Sequence, residues 1–269
     1  MASNFNARDP AVYERSMGRW SRQLAPDFVA FAALDQIGTA EAVLDVGCGT
    51  GSLLETLVAN AGWRRIAGID ASELYLEAAR HRVTDPRIEL QTADAAALPY
   101  PNASFDAVLS QLVLQFVSDP AAALADMRRV VRPGGVVAAA VWNSGGGMPH
   151  QRMFWDTAAL VDPRAADLRA RTFNRIPTRD GELEALFRAA GLADIATSTA
   201  TVAMRFIRFE DFWQPIAGGE GTLGKYVLKL DPETAALVRN AIEDAYLSGR
   251  EDGPRVFHCT AFLCRGHRM

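Results

Sequence analysis

The stretch Val43-Leu-Asp-Val-Gly-Cys-Gly-Thr-Gly51 decides how the rest of the chain is read. An apolar strand over residues 42–46 runs into three glycines spaced two apart. Residues 52–60 then carry Leu53, Leu54, Leu57 and Val58 on one helical face. Glycines at 47, 49 and 51 let the backbone approach a ligand where side chains would collide. A helix start also offers N–H groups that lack intrahelical partners. Packing alone does not require three alternating glycines at such a turn. The spacing is G-x-G-x-G, not the dinucleotide pattern G-x-G-x-x-G.

Outward from this point the chain alternates strands and helices. Residues 65–69, 87–92, 105–110 and 136–142 read as strands, with helices over 72–82 and from Pro120 to about 131. Residues 136–142 are apolar at every position, as a central parallel strand covered on both faces should be. Strands and helices in this series predict a parallel, doubly wound α/β sheet with right-handed crossovers. Beyond Gly145-Gly-Gly147 come a helix around Phe154 and Trp155, an amphipathic helix over 182–190 ending at Gly191, and two late strands over 193–205 and 255–264. About 50 residues separate those strands, including Phe209 to Trp213 and a helix over 232–246. An insertion of that length predicts a lid or a small cap.

The 269 residues are 49% hydrophobic and 22% charged with a net charge of −4, which excludes disorder and disfavours a nucleic-acid partner. The longest apolar run has seven residues, against the ~20 of a membrane-spanning helix. The polar N-terminus lacks the features of a secretory leader, and three uneven cysteines do not form a disulfide framework. A cytoplasmic protein is expected. No His, Cys and carboxylate cluster has metal-ligand spacing, so no metal is expected.

Two acids follow strands. Asp70, 19 residues beyond Gly51, can accept both ribose hydroxyls of a nucleotide, or serve only as a helix-capping carboxylate. Asp94 suits an adenine amine or, equally, a turn.

Four landmarks now stand in order: V-L-D-V-G-C-G-T-G (43–51), I-D-A-S (69–72), D-A-A-A-L-P-Y-P-N-A-S-F-D (94–106) and R-P-G-G (132–135). Over residues 43–142 the chain resembles the class I S-adenosylmethionine-dependent methyltransferases, in the branch of the ubiquinone and menaquinone C-methyltransferases. The resemblance implies a Rossmann-like seven-stranded sheet with an antiparallel last strand, S-adenosylmethionine as cofactor, and methyl transfer to a small-molecule acceptor by in-line displacement. It sets Gly47, Cys48, Gly49 and Gly51 beside the methionine part, Asp70 and Ala71 on the ribose, and Asp94 and Ala95 on the adenine. Asp45 and the backbone near Gln111 would hold the aminocarboxyl end. Within a single domain, it implies an N-terminal helical cover (1–41), a cofactor-binding core (42–145), sheet completion (146–205 and 251–269) and a lid insertion (206–250). A homodimer stays open.

The segment 13–21 resembles the leading helices of this branch, so Tyr13, Met17, Arg19 and Trp20 are candidates to cover cofactor or substrate; Met17 and Trp20, three apart, also fit a core stripe. Phe206, Phe209, Phe212, Trp213 and Tyr226 offer an aromatic wall for the acceptor, or the core of the insertion itself. Many relatives have a histidine where this chain has Gln115, and glutamine is no base near neutrality. His150 is then the nearest candidate base, with an ordinary pKa near 6.5, its alternative being an exposed first-turn residue. Two other functions stay open: a non-catalytic S-adenosylmethionine-binding protein, and a nicotinamide-dependent dehydrogenase, which the glycine spacing disfavours.

Overall fold

The computed structural model describes residues 9–36, 41–60, 62–219 and 221–269. Seven strands form one sheet in the order β3-β2-β1-β4-β5-β7-β6. They are β1 (Ala42–Val46), β2 (Arg65–Asp70), β3 (Ile88–Thr92), β4 (Phe105–Gln111), β5 (Val131–Trp142), β6 (Ala193–Phe206) and β7 (Arg255–His267). β1 to β5 pair in parallel, and β7 runs antiparallel to both β5 and β6, as expected. Burial follows this order. Every residue of β1 and β4 is buried, whereas the edge strand β6 alternates, with Ala200, Val202, Met204 and Phe206 buried between exposed neighbours.

Among the described residues, eleven α-helical segments surround the sheet. Before it lie α1 (Pro10–Tyr13), a π-helical turn (Glu14–Gly18) and α2 (Arg19–Ala32). α3 (Ser52–Ala59), α4 (Glu73–Arg82) and α5 (Pro120–Val130) make the crossovers. α6 (Pro149–Val161), α7 (Arg164–Phe173) and α8 (Glu182–Ala189) join β5 to β6. The insertion between β6 and β7 carries α9 (Phe209–Ala217), α10 (Gly221–Val227) and α11 (Pro232–Leu247).

Local chemistry sets several of these starts. Ser72, Asp119 and Asp231 accept backbone N–H groups two or three residues into α4, α5 and α11, and Pro120 and Pro232 occupy first-turn positions. Alternation along the strands then sorts side chains into two cores. Val43, Ala107 and Ala138 join the one that holds Leu24, Phe28 and Phe154, while Leu44, Val108 and Val137 join the one that holds Leu124, Met127 and Phe187. Asp106, the last residue of the third landmark, is structural. Its Oδ2 accepts from the backbone of Glu41 and Ala42, each at 2.8 Å, and its Oδ1 from Arg132 at 2.7 Å.

β5 begins at Val131 rather than 136, because Val131 pairs with Phe105 of β4 ahead of a register shift at the R-P-G-G turn, where Gly134 N donates to Arg268 O and Arg268 N to Gly135 O. α7 and α10 were not legible in the sequence. Among the described residues, no helix is long and apolar enough to cross a membrane.

Candidate functional site

All three glycines of the loop after β1 have positive φ. At Gly47 the need is steric as well, since a Cβ there would lie 2.4 Å from the side chain of Val113. Gly47 N and Cys48 N both donate to Ile69 O, at 2.7 and 2.9 Å, which ties the loop to β2. The Cys48 side chain is buried, and burial pushes its thiol pKa well up.

The loop opens onto a cavity of about 630 Å³ at the carboxyl ends of β1 to β5. Asp45, Gly47, Cys48, Gly49, Asp70, Ala71, Asp94, Ala95 and Gln111 all line it; Gly51 does not, and starts α3 behind the loop. Asp70 is held in place by the loop itself: its Oδ2 accepts from Gly49 N and its Oδ1 from Ser72 N, both at 2.9 Å. Burial raises its pKa, and these backbone donors oppose the rise. Each oxygen keeps acceptor capacity for a further donor. Asp94 Oδ1 accepts from Ala96 N at 2.9 Å, which sets the turn after β3.

Asp45 differs. It is 1% exposed, and neither carboxylate oxygen has a hydrogen-bond partner among the described residues. Burial, and then the nearby Asp70, push its pKa well above the usual carboxylate range. Gln111 lies on the same wall, with Nε2 donating to Ser21 O at 3.0 Å and Oε1 left without a partner. Unfilled buried acceptors are costly unless a ligand supplies donors. An ammonium and ribose hydroxyls would supply them, so the site fits S-adenosylmethionine.

The N-terminal segment covers this end, but not with all the residues expected. Tyr13, Ser16, Met17 and Ser21 line the cavity. Arg19 and Trp20 do not. Trp20 packs edge-on against Phe206 with ring centroids 5.7 Å apart, and the Arg19 guanidinium lies over Trp20 and bonds Asp211 at 3.0 Å. An anchoring acid that the sequence did not reveal is Glu14. Its carboxylate accepts from Arg82 at 2.9 and 2.7 Å and also meets Thr50 and Arg22. Burial opposes its ionisation, but the bonds from Arg82, Thr50 and Arg22 outweigh it and lower the pKa.

Beyond β4 the wall becomes apolar and aromatic, with Trp142, Phe206, Phe212, Ile216 and Leu223. Phe209, Trp213 and Tyr226 are the core of the insertion instead. Trp213 stacks on Phe209 at 5.9 Å, and the Tyr226 hydroxyl donates to Asp162 at 3.0 Å. Trp213 is therefore no part of the wall. Gln115 accepts from Trp142 N at 2.8 Å through Oε1 and lines the cavity.

His150 lines the cavity too, yet it is not the exposed group with an ordinary pKa. It is 5% exposed, sits among Phe206, Phe212 and Phe257, and lies 3.3 Å from Cys259 Sγ through Nδ1. Burial lowers its pKa to about 4. The imidazole is neutral near pH 7 and a weak base there.

Residues 44–139 match a family model described as a methyltransferase domain. A demethylmenaquinone methyltransferase of Roseiflexus sp. (strain RS-1) is 32% identical over 177 residues, covering 62% of this chain and 73% of the relative. A 37.1 kDa protein in transposon TN4556 of Streptomyces fradiae is 37% identical over 151 residues, but that match spans 48% of this chain and 43% of the relative. Among solved structures, Haemonchus contortus phosphoethanolamine N-methyltransferase 2 in complex with S-adenosyl-L-methionine superposes with a TM-score of 0.57 at 17% identity, covering 97% of this chain and 57% of that one; this likeness concerns the fold. The nicotinamide alternative falls with these matches. In sequence pattern, strand order and cofactor chemistry alike, the chain belongs to the class I S-adenosylmethionine-dependent methyltransferases.

Proposed function

We propose that this methyltransferase acts on a small-molecule acceptor held beside the cofactor in a single continuous cavity. The observation that carries the reading is the continuity between the carboxylates of β1 to β3 and the aromatic wall beyond β4, within about 630 Å³. That volume lies in the range of small-molecule sites, ~300–1,000 Å³. The name of the Roseiflexus relative, a demethylmenaquinone methyltransferase, supports an acceptor with a large apolar part.

When bound, S-adenosylmethionine supplies an electrophilic methyl group on a sulfonium. Asp45 and Gln111 are the acceptors for its ammonium, Asp70 for the ribose hydroxyls, and Asp94 with Ala95 for the adenine. The glycine loop keeps the backbone close. Tyr13 and Met17, from the cover, exclude water from the methionine end. Trp142, Phe206 and Phe212 orient the acceptor so that its nucleophile lies in line with the methyl, and alignment of this kind supplies rate through proximity. His150, being neutral, contributes a hydrogen bond or a ring contact rather than an efficient base. Residues 206–250 act as the lid, with residues 42–145 as the cofactor-binding core beneath it.

The test is incubation with methyl-labelled S-adenosylmethionine and a whole-cell extract. Label should appear in a low-mass product together with S-adenosylhomocysteine. Label found only in macromolecules, or none transferred while cofactor binds, would overturn the reading.

A further inference from the structure

Most part-buried arginines of this molecule have a carboxylate partner. Arg19 bonds Asp211, Arg82 bonds Glu14, and Arg129 bonds Asp126. Arg175 is different. It lines the cavity and its guanidinium lies over the ring of Phe116, 5.2 Å from the centroid, but no carboxylate among the described residues pairs with it. Burial pulls its pKa below the usual arginine value, with no opposing partner. Its guanidinium is half-buried at the cavity wall and carries no counter-charge there, so a ligand anion entering the cavity would find an unmatched cation.

Local hydrogen bonds shape the loop that carries Arg175. Arg175 O accepts from Thr178 N at 3.0 Å, and Asn174 closes onto α7 through its side-chain bond to Ala170 O at 2.9 Å. The cavity is also polarised by topology. Asp45, Asp70 and Asp94 come from β1, β2 and the turn after β3, whereas Phe116, against which Arg175 packs, follows β4 on the side of the aromatic wall. Arg175 thus belongs to the acceptor half, away from the strand ends that supply the acids.

We infer that Arg175 is a specificity-determining residue that pairs with a carboxylate on the methyl acceptor. The inference rests on the reading of this cavity as the joint site of cofactor and acceptor. The planar guanidinium fork matches a carboxylate through two parallel N–H bonds. The apolar wall of Phe206, Phe212 and Ile216 receives the rest of the molecule, so the acceptor class is an acid with an apolar or aromatic body.

Protein saturated with S-adenosylhomocysteine is titrated calorimetrically with 3-phenylpropanoate and with its neutral isostere 3-phenylpropanamide. The carboxylate should bind roughly tenfold or more tightly than the amide. Arg175→Met should abolish that preference and Arg175→Lys retain only part of it, with S-adenosylhomocysteine affinity within about twofold of wild type in both. Once an acceptor is known, Arg175→Met should raise KM more than it lowers kcat. Equal binding of acid and amide, binding of neither, or an unchanged preference in Arg175→Met overturns the inference while leaving the methyltransferase site intact. A tenfold loss of S-adenosylhomocysteine affinity in both variants also overturns it, by reassigning Arg175 to the carboxylate of the cofactor. Failure of wild-type protein to bind S-adenosylhomocysteine would instead strike the reading of the cavity itself.

Discussion

At the scale of single residues, the site is marked by groups whose empty-state energetics are poor. Asp45 is a buried carboxylate with no donor, so replacing it relieves the free protein and harms the bound one. Asp45→Asn should stabilise the ligand-free protein by about 1 kcal/mol in chemical denaturation while lowering S-adenosylmethionine affinity at least tenfold in calorimetry; an unchanged affinity would remove Asp45 from the site. Asp70 behaves in the opposite way. It already accepts from Gly49 and Ser72, so Asp70→Ala should cost cofactor affinity and also about 1–2 kcal/mol of stability through two orphaned N–H groups. His150 provides a pH test. Its folded pKa of about 4 lies below the ordinary 6.5, so the unfolded chain binds the extra proton, and the stability contributed by neutral His150 is lost as pH falls from 6.5 toward 4. Between pH 7 and pH 5, wild type should lose about 2 kcal/mol more than His150→Gln. The pH–rate profile should show no limb near 6.5 that disappears in His150→Gln.

At the scale of elements, two polar clusters fasten the covering segments to the core. Glu14, in the π-helical turn, clamps the N-terminal cover to Arg82 of α4 and to Thr50 of the glycine loop. Arg19 of α2 bonds Asp211 of α9, joining that cover to the insertion. The segment around 218–224 is not uniformly permissive: Gly219 and Gly221 have positive φ, but a Cβ on Gly224 would lie 2.3 Å from the backbone of Gly219, so Gly224 serves close packing. Arg19→Met should therefore loosen both sides together, and hydrogen exchange should quicken in α9 and in α2 with β4 and β5 unaffected. In wild type, α9 and α10 should gain protection when cofactor and acceptor are both present. Full protection of these helices in the empty protein would make the insertion a fixed cap rather than a lid.

At the scale of the whole molecule, cofactor binding at the proposed site couples to the folding of the single seven-stranded sheet. Saturation with S-adenosylhomocysteine at 100 times its Kd should add about 2.7 kcal/mol of stability, raising Tm by roughly 5–10 °C. NADH at equal concentration should leave Tm unchanged, since the loop glycines are spaced for another ligand.

What the sequence determined by itself was the cofactor half of the molecule. Residues 42–46, 52–60 and 65–72 are close in chain and in space, and the positive φ of Gly47, Gly49 and Gly51 is open to residues without a Cβ, which the glycine spacing already shows. Alternation and capping likewise revealed the strands and most helices. The acceptor half was decided by tertiary structure. Met17 lines the cavity and also packs on the core that holds Trp20, three residues on, so the core stripe was legible but not that one member of it reaches the cavity. Trp213 and Phe212 are adjacent, yet only Phe212 reaches the wall, since Trp213 projects from another side of α9 and stacks on Phe209 of the same helix. His150 looked like an exposed residue with an ordinary pKa until β6 and β7 and the insertion enclosed it with Phe206, Phe257 and Phe212. Glu14, Arg82 and Arg175 carry no local signal at all: a carboxylate or guanidinium reads as a surface charge until the fold removes the water around it, and burial is a property of contacts between residues distant in the chain.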